Sequence, residues 1–343
     1  MIRISLARCF ALLVVAAAVP VAAEDAVIDS VDCSGLQLSL EGADHYYWIA
    51  PEKSRVVLVR QCVPDETDCD HDVITVWDVE GRKIFEAAPH LDIPEMSDGS
   101  ILDATLRTPE RLVVSAIVGA TEFHPVLAEY DVGTGELVRV VPTGSILCRD
   151  LHGDHEGVTL CLGVDTTKRA NREDFDLVYR FDEVGTLRGS SLPRSAFPAT
   201  SDPIANTWRG NDRGGFLEAG GRTRLWLPAV GELISFDDEG GVSDRLALPT
   251  IVNQQRSRLV AAPDGEVYAM LIAGEKTEPG TWTQGLYHLA DDGASWPPVE
   301  KTPGQVPMKI ALVGADDAGL VLIDRKTLVL CHLPLTTEVN KEE

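Results

Sequence analysis

The chain has 343 residues, and its 54 Asp and Glu against 30 Lys and Arg give a formal net charge of −24. That balance argues against nucleic acid or an anionic lipid surface as partner, because both are held by Lys/Arg patches. It fits the solubility of an exported protein or recognition of a cationic partner, while 44% hydrophobic and 24% charged residues argue against disorder.

In chain order, residues 1–23 read as a secretory signal peptide. Arg3 and Arg8 form a basic start, Phe10 to Val19 an apolar core, and Val21-Ala22-Ala23 a small-residue cleavage site before Glu24-Asp25. The apolar run is too short to span a bilayer comfortably, and no later segment is long and apolar enough to cross one. Residues 24–343 are expected to form a single domain in the periplasm or outside the cell.

From there the sequence repeats. A strand, an Asp-containing turn, a second strand and a Pro recur at Asp78, Asp131, Asp182, Asp237 and Asp291, spaced by 53, 51, 55 and 54 residues. Asp324 follows 33 residues later, and Pro89, Pro142, Pro193, Pro249, Pro303 and Pro334 trail the six Asps by 10 to 12 residues. Repeats of roughly 40–50 residues built from short strands are the mark of a β-propeller. The second repeat is the clearest, with strands predicted at Ile101–Arg107, Leu112–Val118, Val126–Asp131 and Glu136–Val141. The fourth repeat runs from about Ala205 to Leu248 and the fifth from about Ser257 to Glu300. The sixth, Met308 to Leu333, holds about three strands. The spare alternating segment Leu36–Leu40 is expected to complete it, so the fold class is an all-β, six-bladed propeller whose last blade is finished by an N-terminal strand.

The turns carry a resemblance. Val73-Ile74-Thr75-Val76-Trp77-Asp78 with Gly81 is similar to the third strand and turn of a WD40 blade. Ala128-Glu129-Tyr130-Asp131-Val132-Gly133-Thr134-Gly135 resembles the equivalent turn of bacterial YVTN-type propellers, and Phe181-Asp182 and Phe236-Asp237 repeat the grammar. The resemblance implies the fold and says nearly nothing of function, since propellers host many.

Removing Cys9 with the signal leaves six cysteines, an even number in an exported chain, which points to disulfides. Cys62 with Cys69 and Cys148 with Cys161 each bracket a short loop; Cys148 and Cys161 are expected to face each other across a hairpin. Cys33 and Cys331, near the two ends, are left to close the ring.

Candidate chemistry is sparse. His152, Asp154, His155 and Glu156 offer imidazole and carboxylate donors suited to a transition metal, but their spacing in one tight turn favours a solvated polar turn. Asp65, Glu66, Asp68, Asp70 and Asp72 form an acidic loop that could hold Ca²⁺, although Val73 stands where an EF-hand needs Gly. Ala290 to Trp296 resembles a sialidase-type Asp-box, a structural turn. The loops at the channel mouth are richer: Trp208, Arg209, Asn211 and Arg213; Asn253 and Gln255; and Trp282. Aromatic, Arg and amide side chains there suit a protein, peptide or glycan ligand, although Trp208 could instead begin an innermost strand and pack between blades. The expected function is non-enzymatic binding or scaffolding. The alternative is a metal-dependent hydrolase or lactonase with a divalent ion in the central funnel.

Overall fold

The computed structural model describes residues 46–52, 55–61, 71–78, 82–93, 99–119, 124–154, 157–205, 214–219, 222–248, 258–273, 283–290, 293, 295–299, 306, 310–316, 319–324 and 329–334. They fold as an all-β propeller of antiparallel up-and-down sheets. The first sheet is β1 (Tyr46–Glu52), β2 (Arg55–Gln61), β3 (Val73–Asp78) and β4 (Lys83–Ala87), followed by a short helix α1 (Pro89–Asp92). The second is β5 (Ser100–Thr108), β6 (Arg111–Val118), β7 (His124–Asp131) and β8 (Leu137–Pro142). The third is β9 (Ile146–Gly153), β10 (Thr159–Asp165), β11 (Asp176–Phe181) and β12 (Leu187–Pro193), with α2 (Thr166–Asn171) between β10 and β11. The fourth is β13 (Gly215–Ala219), β14 (Arg222–Leu227), β15 (Glu232–Phe236) and β16 (Val242–Ala247). Two three-stranded sheets follow: β17 (Arg258–Ala261), β18 (Val267–Ala273) and β19 (Thr283–His288), then β20 (Ile310–Asp316), β21 (Gly319–Asp324) and β22 (Val329–Leu333).

The core is a series of slabs between sheets. One cluster joins the first two sheets through Val76, Phe85, Leu112 and Tyr130, and others join each later sheet to its successor. Another joins the last sheet to the first, packing Ala311, Val313, Val321 and Ile323 on Val56, Leu58 and Trp77. The first strands of the sheets neighbour one another in the same succession, with β20 beside β1.

The Asp repeat has a physical cause. Asp131 Oδ1 accepts from the backbone N–H of Gly133 and Thr134 at 2.9 Å each, and Asp182 Oδ1 from Val184 and Thr186 at 3.0 and 2.7 Å. Asp78 and Asp237 do the same for Arg82 and Gly241 at 2.8 and 2.6 Å. The residue before each Asp is a buried aromatic, Trp77, Tyr130, Phe181 or Phe236. Opposite each aromatic the outer strand carries one extra residue: Ile84, Val138, Arg188 and Ser243. The glycine of the turn is needed twice over. Gly185 has φ 82°, and a Cβ there would lie 2.8 Å from Val141 of the preceding sheet.

Cys148 and Cys161 are bridged, with a Cα separation of 5.3 Å. They do not face each other. Cys148 lies opposite Gly163 and Cys161 opposite Leu151, so the bridge runs diagonally. A Cβ on Gly163 would come within 2.6 Å of the Leu147 carbonyl and 3.0 Å of Cys161 Sγ, so glycine makes room for the diagonal. Cys331 is also disulfide-bonded, to a cysteine outside the described residues. Cys33, Cys62, Cys69, Leu36–Leu40 and residues 1–23 lie outside them as well.

The fifth sheet has three strands among the described residues. After β19 the chain makes two isolated bridges, Tyr287 with Pro298 and Gln284 with Val306. Pro297 and Pro298 have no N–H to give, so a regular ladder cannot form.

Candidate functional site

The described part of the channel wall is built by bulges. In β5, Ile101 and Asp103 face Ala116 and Ser115, leaving Leu102 extra; in β9, Cys148 and Asp150 face Gly163 and Leu162, leaving Arg149 extra. A bulge re-aims the side chain that follows it, and here it turns a carboxylate onto the next sheet. Asp103 Oδ2 accepts from Leu151 N at 2.6 Å, and Asp150 Oδ2 from Phe216 N at 2.9 Å. Asp72 Oδ2 likewise accepts from Ile101 N at 3.2 Å. In β20 the same offset leaves Val313 extra and puts Gly314 where the acids stand. A second bulge in β5 aims Arg107 into a buried network. Its Nη2 lies 2.6 Å from Glu129 Oε1 and its Nη1 donates to the Glu183 carbonyl at 2.9 Å, while Arg139 Nε lies 2.9 Å from Glu129 Oε2.

At the channel mouth, three elements meet between the third and fourth sheets. α2 is capped by Asp165, whose Oδ1 accepts from Thr167 N and Lys168 N at 3.0 Å each. Thr166 fixes α2 over the start of β9, its N and Oγ1 donating to the Ser145 carbonyl at 2.8 and 3.0 Å. β12 carries Leu192 at φ 63° just before its end, and the connection leaving it begins with a single 3-10 turn, Arg194–Ala196. Arg194 gathers this connection, donating to the carbonyls of Phe197 (3.3 Å), Pro198 (3.2 Å), Ala199 (3.5 Å) and Ser201. Asp174 pins it from below, accepting from Ser195 N at 2.9 Å and Ser195 Oγ at 2.5 Å. The Phe197 ring is buried under the Arg245 guanidinium, 4.6 Å from its centroid. Ile204 is buried, and Ala205 N donates to the Asp202 carbonyl at 2.9 Å.

The charges of this sector are set by the same elements. Arg169 Nη2 lies 3.7 Å from Asp202 Oδ2, joining α2 to the connection. Arg149, on β9, is half-buried. Burial, opposed by Asp202 and reinforced by the like charge of Arg169, holds its guanidinium below the usual pKa.

Of the residues singled out in the sequence, Trp208, Arg209, Asn211, Arg213, Asn253, Gln255 and Trp282 lie outside the described residues. The chain that bears the first four, residues 206–213, runs between two anchored stems: Ile204-Ala205 on one side and Gly215-Phe216 on the other. Gly215 sits so close to Asp150 that a Cβ would fall 2.6 Å from its carboxylate. The proposed turn cluster divides. His152 belongs to β9, not to the turn, and its Nε2 lies 3.6 Å from Glu218 Oε2 on β13. Asp154 is committed to the turn, where its Oδ1 accepts from Val158 N at 2.8 Å. His155, Glu156, Asp65, Glu66, Asp68 and Asp70 are outside the described residues. Among the described residues no group of three or more His, Cys, Asp or Glu is placed to hold a metal ion, and no helix is long and apolar enough to cross a membrane. Sequence reasoning missed Asp103, Asp150 and Arg149. A bulge breaks the two-residue alternation that would have marked them.

No protein-family model and no curated protein matches the chain. Solved structures do. A member of the DUF4221 family from Bacteroides vulgatus is 10% identical over 86% of this chain and 94% of that one, with a TM-score of 0.52. Virginiamycin B lyase from Staphylococcus aureus is 9% identical over 86% and 96%, with a TM-score of 0.44. TolB from Acinetobacter baumannii is 11% identical over 82% and 63%, with a TM-score of 0.43. At these identities the likeness to the DUF4221 structure shows the propeller fold and nothing of the activity.

Proposed function

We propose that the chain is an exported six-bladed propeller that binds a protein, peptide or glycan at its channel mouth without catalysing a reaction. The observation that carries this reading is the pair of anchored stems around residues 206–213. Arg194, Asp174 and Phe197 fix one stem and Asp150 fixes the other. The segment between these two fixed ends carries Trp208, Arg209, Asn211 and Arg213, aromatic, guanidinium and amide groups of the kind that recognise a protein, peptide or glycan. Asn253, Gln255 and Trp282 are proposed for the same surface.

Six blades are supported by the succession of inter-sheet clusters, the last of which returns to the first sheet. Completion of the sixth blade by Leu36–Leu40 is supported by the three-stranded sheet ending at β22 and by the disulfide at Cys331. A Cys33–Cys331 bridge would tie such a strand in place. The disulfides and the signal-like start support export.

The test is photo-crosslinking from position 208, with Val138 on outer strand β8 as the control position, in the exported fraction of the native host. Selective labelling of one partner through position 208 is expected. Equal labelling from both positions would overturn the mouth reading. Hydrolysis of a lactone panel that EDTA abolishes would replace binding with the funnel-metal enzyme.

A further inference from the structure

We propose that a cavity at the foot of the third and fourth sheets, on the face opposite the mouth, binds the α-carboxylate and α-ammonium of a free amino acid. The proposal goes beyond the mouth reading and does not depend on it.

The same cavity recurs at two successive junctions with its charges exchanged. Between the second and third sheets about 10 Å³ remains beside Arg107, Glu129, Arg139 and Asp182. Between the third and fourth about 30 Å³ opens beside Asp154, Arg180, Arg222, Asp237 and Asp238. The positions correspond. Glu129 stands two residues before the turn acid Asp131, and Arg180 two before Asp182. Arg107 stands four residues after the wall acid Asp103, and Asp154 four after Asp150. Across the ladder Arg139 faces Glu129, whereas Gly189 faces Arg180.

The exchange leaves two groups without the partner their counterparts have. Glu129 is gripped by Arg107 and Arg139. Among the described residues Arg180 meets no carboxylate; its Nη2 donates to the Asp238 carbonyl at 3.2 Å, while Asp154 Oδ1 is turned back onto Val158 N. The turn acids Asp78, Asp131 and Asp182 each hold an arginine on Oδ2: Arg82 at 2.7 Å, Arg111 at 3.2 Å and Arg188 at 2.5 Å. Asp237 holds none among the described residues. Its Oδ1 accepts from Gly241 N, and Ser243 has the bulge position that Arg188 has one sheet earlier. A guanidinium lacking an acid and an acid lacking a cation thus open on one cavity. The lining as a whole carries three carboxylates and two guanidiniums, which disfavours a lone anion and sets two like charges against a lone cation. A zwitterion satisfies both signs. Its carboxylate takes paired hydrogen bonds from Arg180, and its ammonium donates to Asp237. Leu160, Val178 and Phe236 also line the cavity, and their apolar surface strengthens both contacts. A volume of about 30 Å³ admits about two water-sized groups, so the charged heads enter and the side chain stays in solvent.

The test is isothermal titration of the full chain with glycine, methylammonium and acetate at neutral pH. Glycine is expected to bind about tenfold more tightly than either of the other two, each of which makes one of its two charged contacts. Asp237→Asn keeps an Oδ1 for Gly241 and should weaken glycine about tenfold. Asp131→Asn, on an acid that Arg111 already holds, should leave glycine binding unchanged. Gly189→Glu sets a carboxylate opposite Arg180 from within the chain and should abolish glycine binding. Gly189→Ala, whose Cβ meets nothing within 4 Å, should leave it as it is. Methylammonium or acetate binding as tightly as glycine would overturn the zwitterion assignment. Absence of glycine binding would overturn the site, as would a Gly189→Glu or Asp237→Asn protein that binds glycine like the native chain.

Discussion

Replacing Glu129 by Gln tests how the second and third sheets are held together. Glu129 is 5% exposed at its side chain and Arg107 7%, and the carboxylate serves both Arg107 and Arg139. The substitution keeps the shape of the side chain and removes its charge. Arg107 then stays buried and loses the charge that faced it, with a neutral amide oxygen in its place. Leaving one member of a buried ion pair uncompensated costs about 3–5 kcal/mol. Unfolding entropy of about 2.1 cal/mol/K per residue over 343 residues amounts to about 0.7 kcal/mol/K. The expected fall in the melting midpoint is therefore about 4–7 °C, read by far-UV circular dichroism at one scan rate. Added salt should restore little, because screening acts weakly on buried charges. The double variant Arg107→Met with Glu129→Leu should recover most of the loss, since it removes both fully buried charges together and leaves only Arg139, which is 32% exposed and can be solvated, without its carboxylate. A fall of less than about 1 °C in Glu129→Gln, or a double variant whose loss is the sum of two large single losses, would refute the buried-charge argument.

Three further outcomes follow from the same geometry. Cys148→Ala with Cys161→Ala opens a 13-residue separation and should cost about 3 kcal/mol, visible as a lower denaturant midpoint; an unchanged midpoint would mean that the unfolded chain gains nothing from release. Gly163→Ala forces a Cβ against the Leu147 carbonyl at 2.6 Å and should cost about 1–3 kcal/mol, whereas Gly189→Ala, which meets nothing within 4 Å, should be nearly silent in the same melt. Hydrogen bonds from Ser195 hold the Asp174 carboxyl below its usual pKa, and those from Thr134 and Gly133 do so for Asp131. A depressed folded pKa stabilises the protein fully above the unfolded value and loses that contribution as pH falls. Stability should therefore decline below about pH 4, and Asp174→Asn should flatten that decline.

Much of the fold was legible because its causes are local. An aromatic followed by Asp and a glycine is a strand end, a turn and a sheet-to-sheet contact written within a few residues, so Trp77-Asp78, Tyr130-Asp131, Phe181-Asp182 and Phe236-Asp237 marked the frame. The Cys148–Cys161 bridge was legible as a pairing but not as a diagonal, because the extra residue Arg149 shifts the register. The channel wall was hidden for the same reason: Asp103 and Asp150 reach a neighbouring repeat, and no spacing within one repeat records that contact. Arg107 and Glu129 are 22 residues apart and look like ordinary surface charges until β5 bulges. The candidate mouth residues followed from topology alone, which identifies the loops but not their contacts.

Three carboxylate bonds that cross from one sheet to the next run the same way round. Asp72 serves Ile101, Asp103 serves Leu151 and Asp150 serves Phe216, so in each described case the acceptor precedes its donor in the chain. A polypeptide leaving the ribosome or an export channel N-terminus first therefore has each acceptor in place before the amide that needs it emerges. A circular permutant opened between Asp103 and Leu151 would reverse one of these orders of emergence without changing a contact of the finished protein.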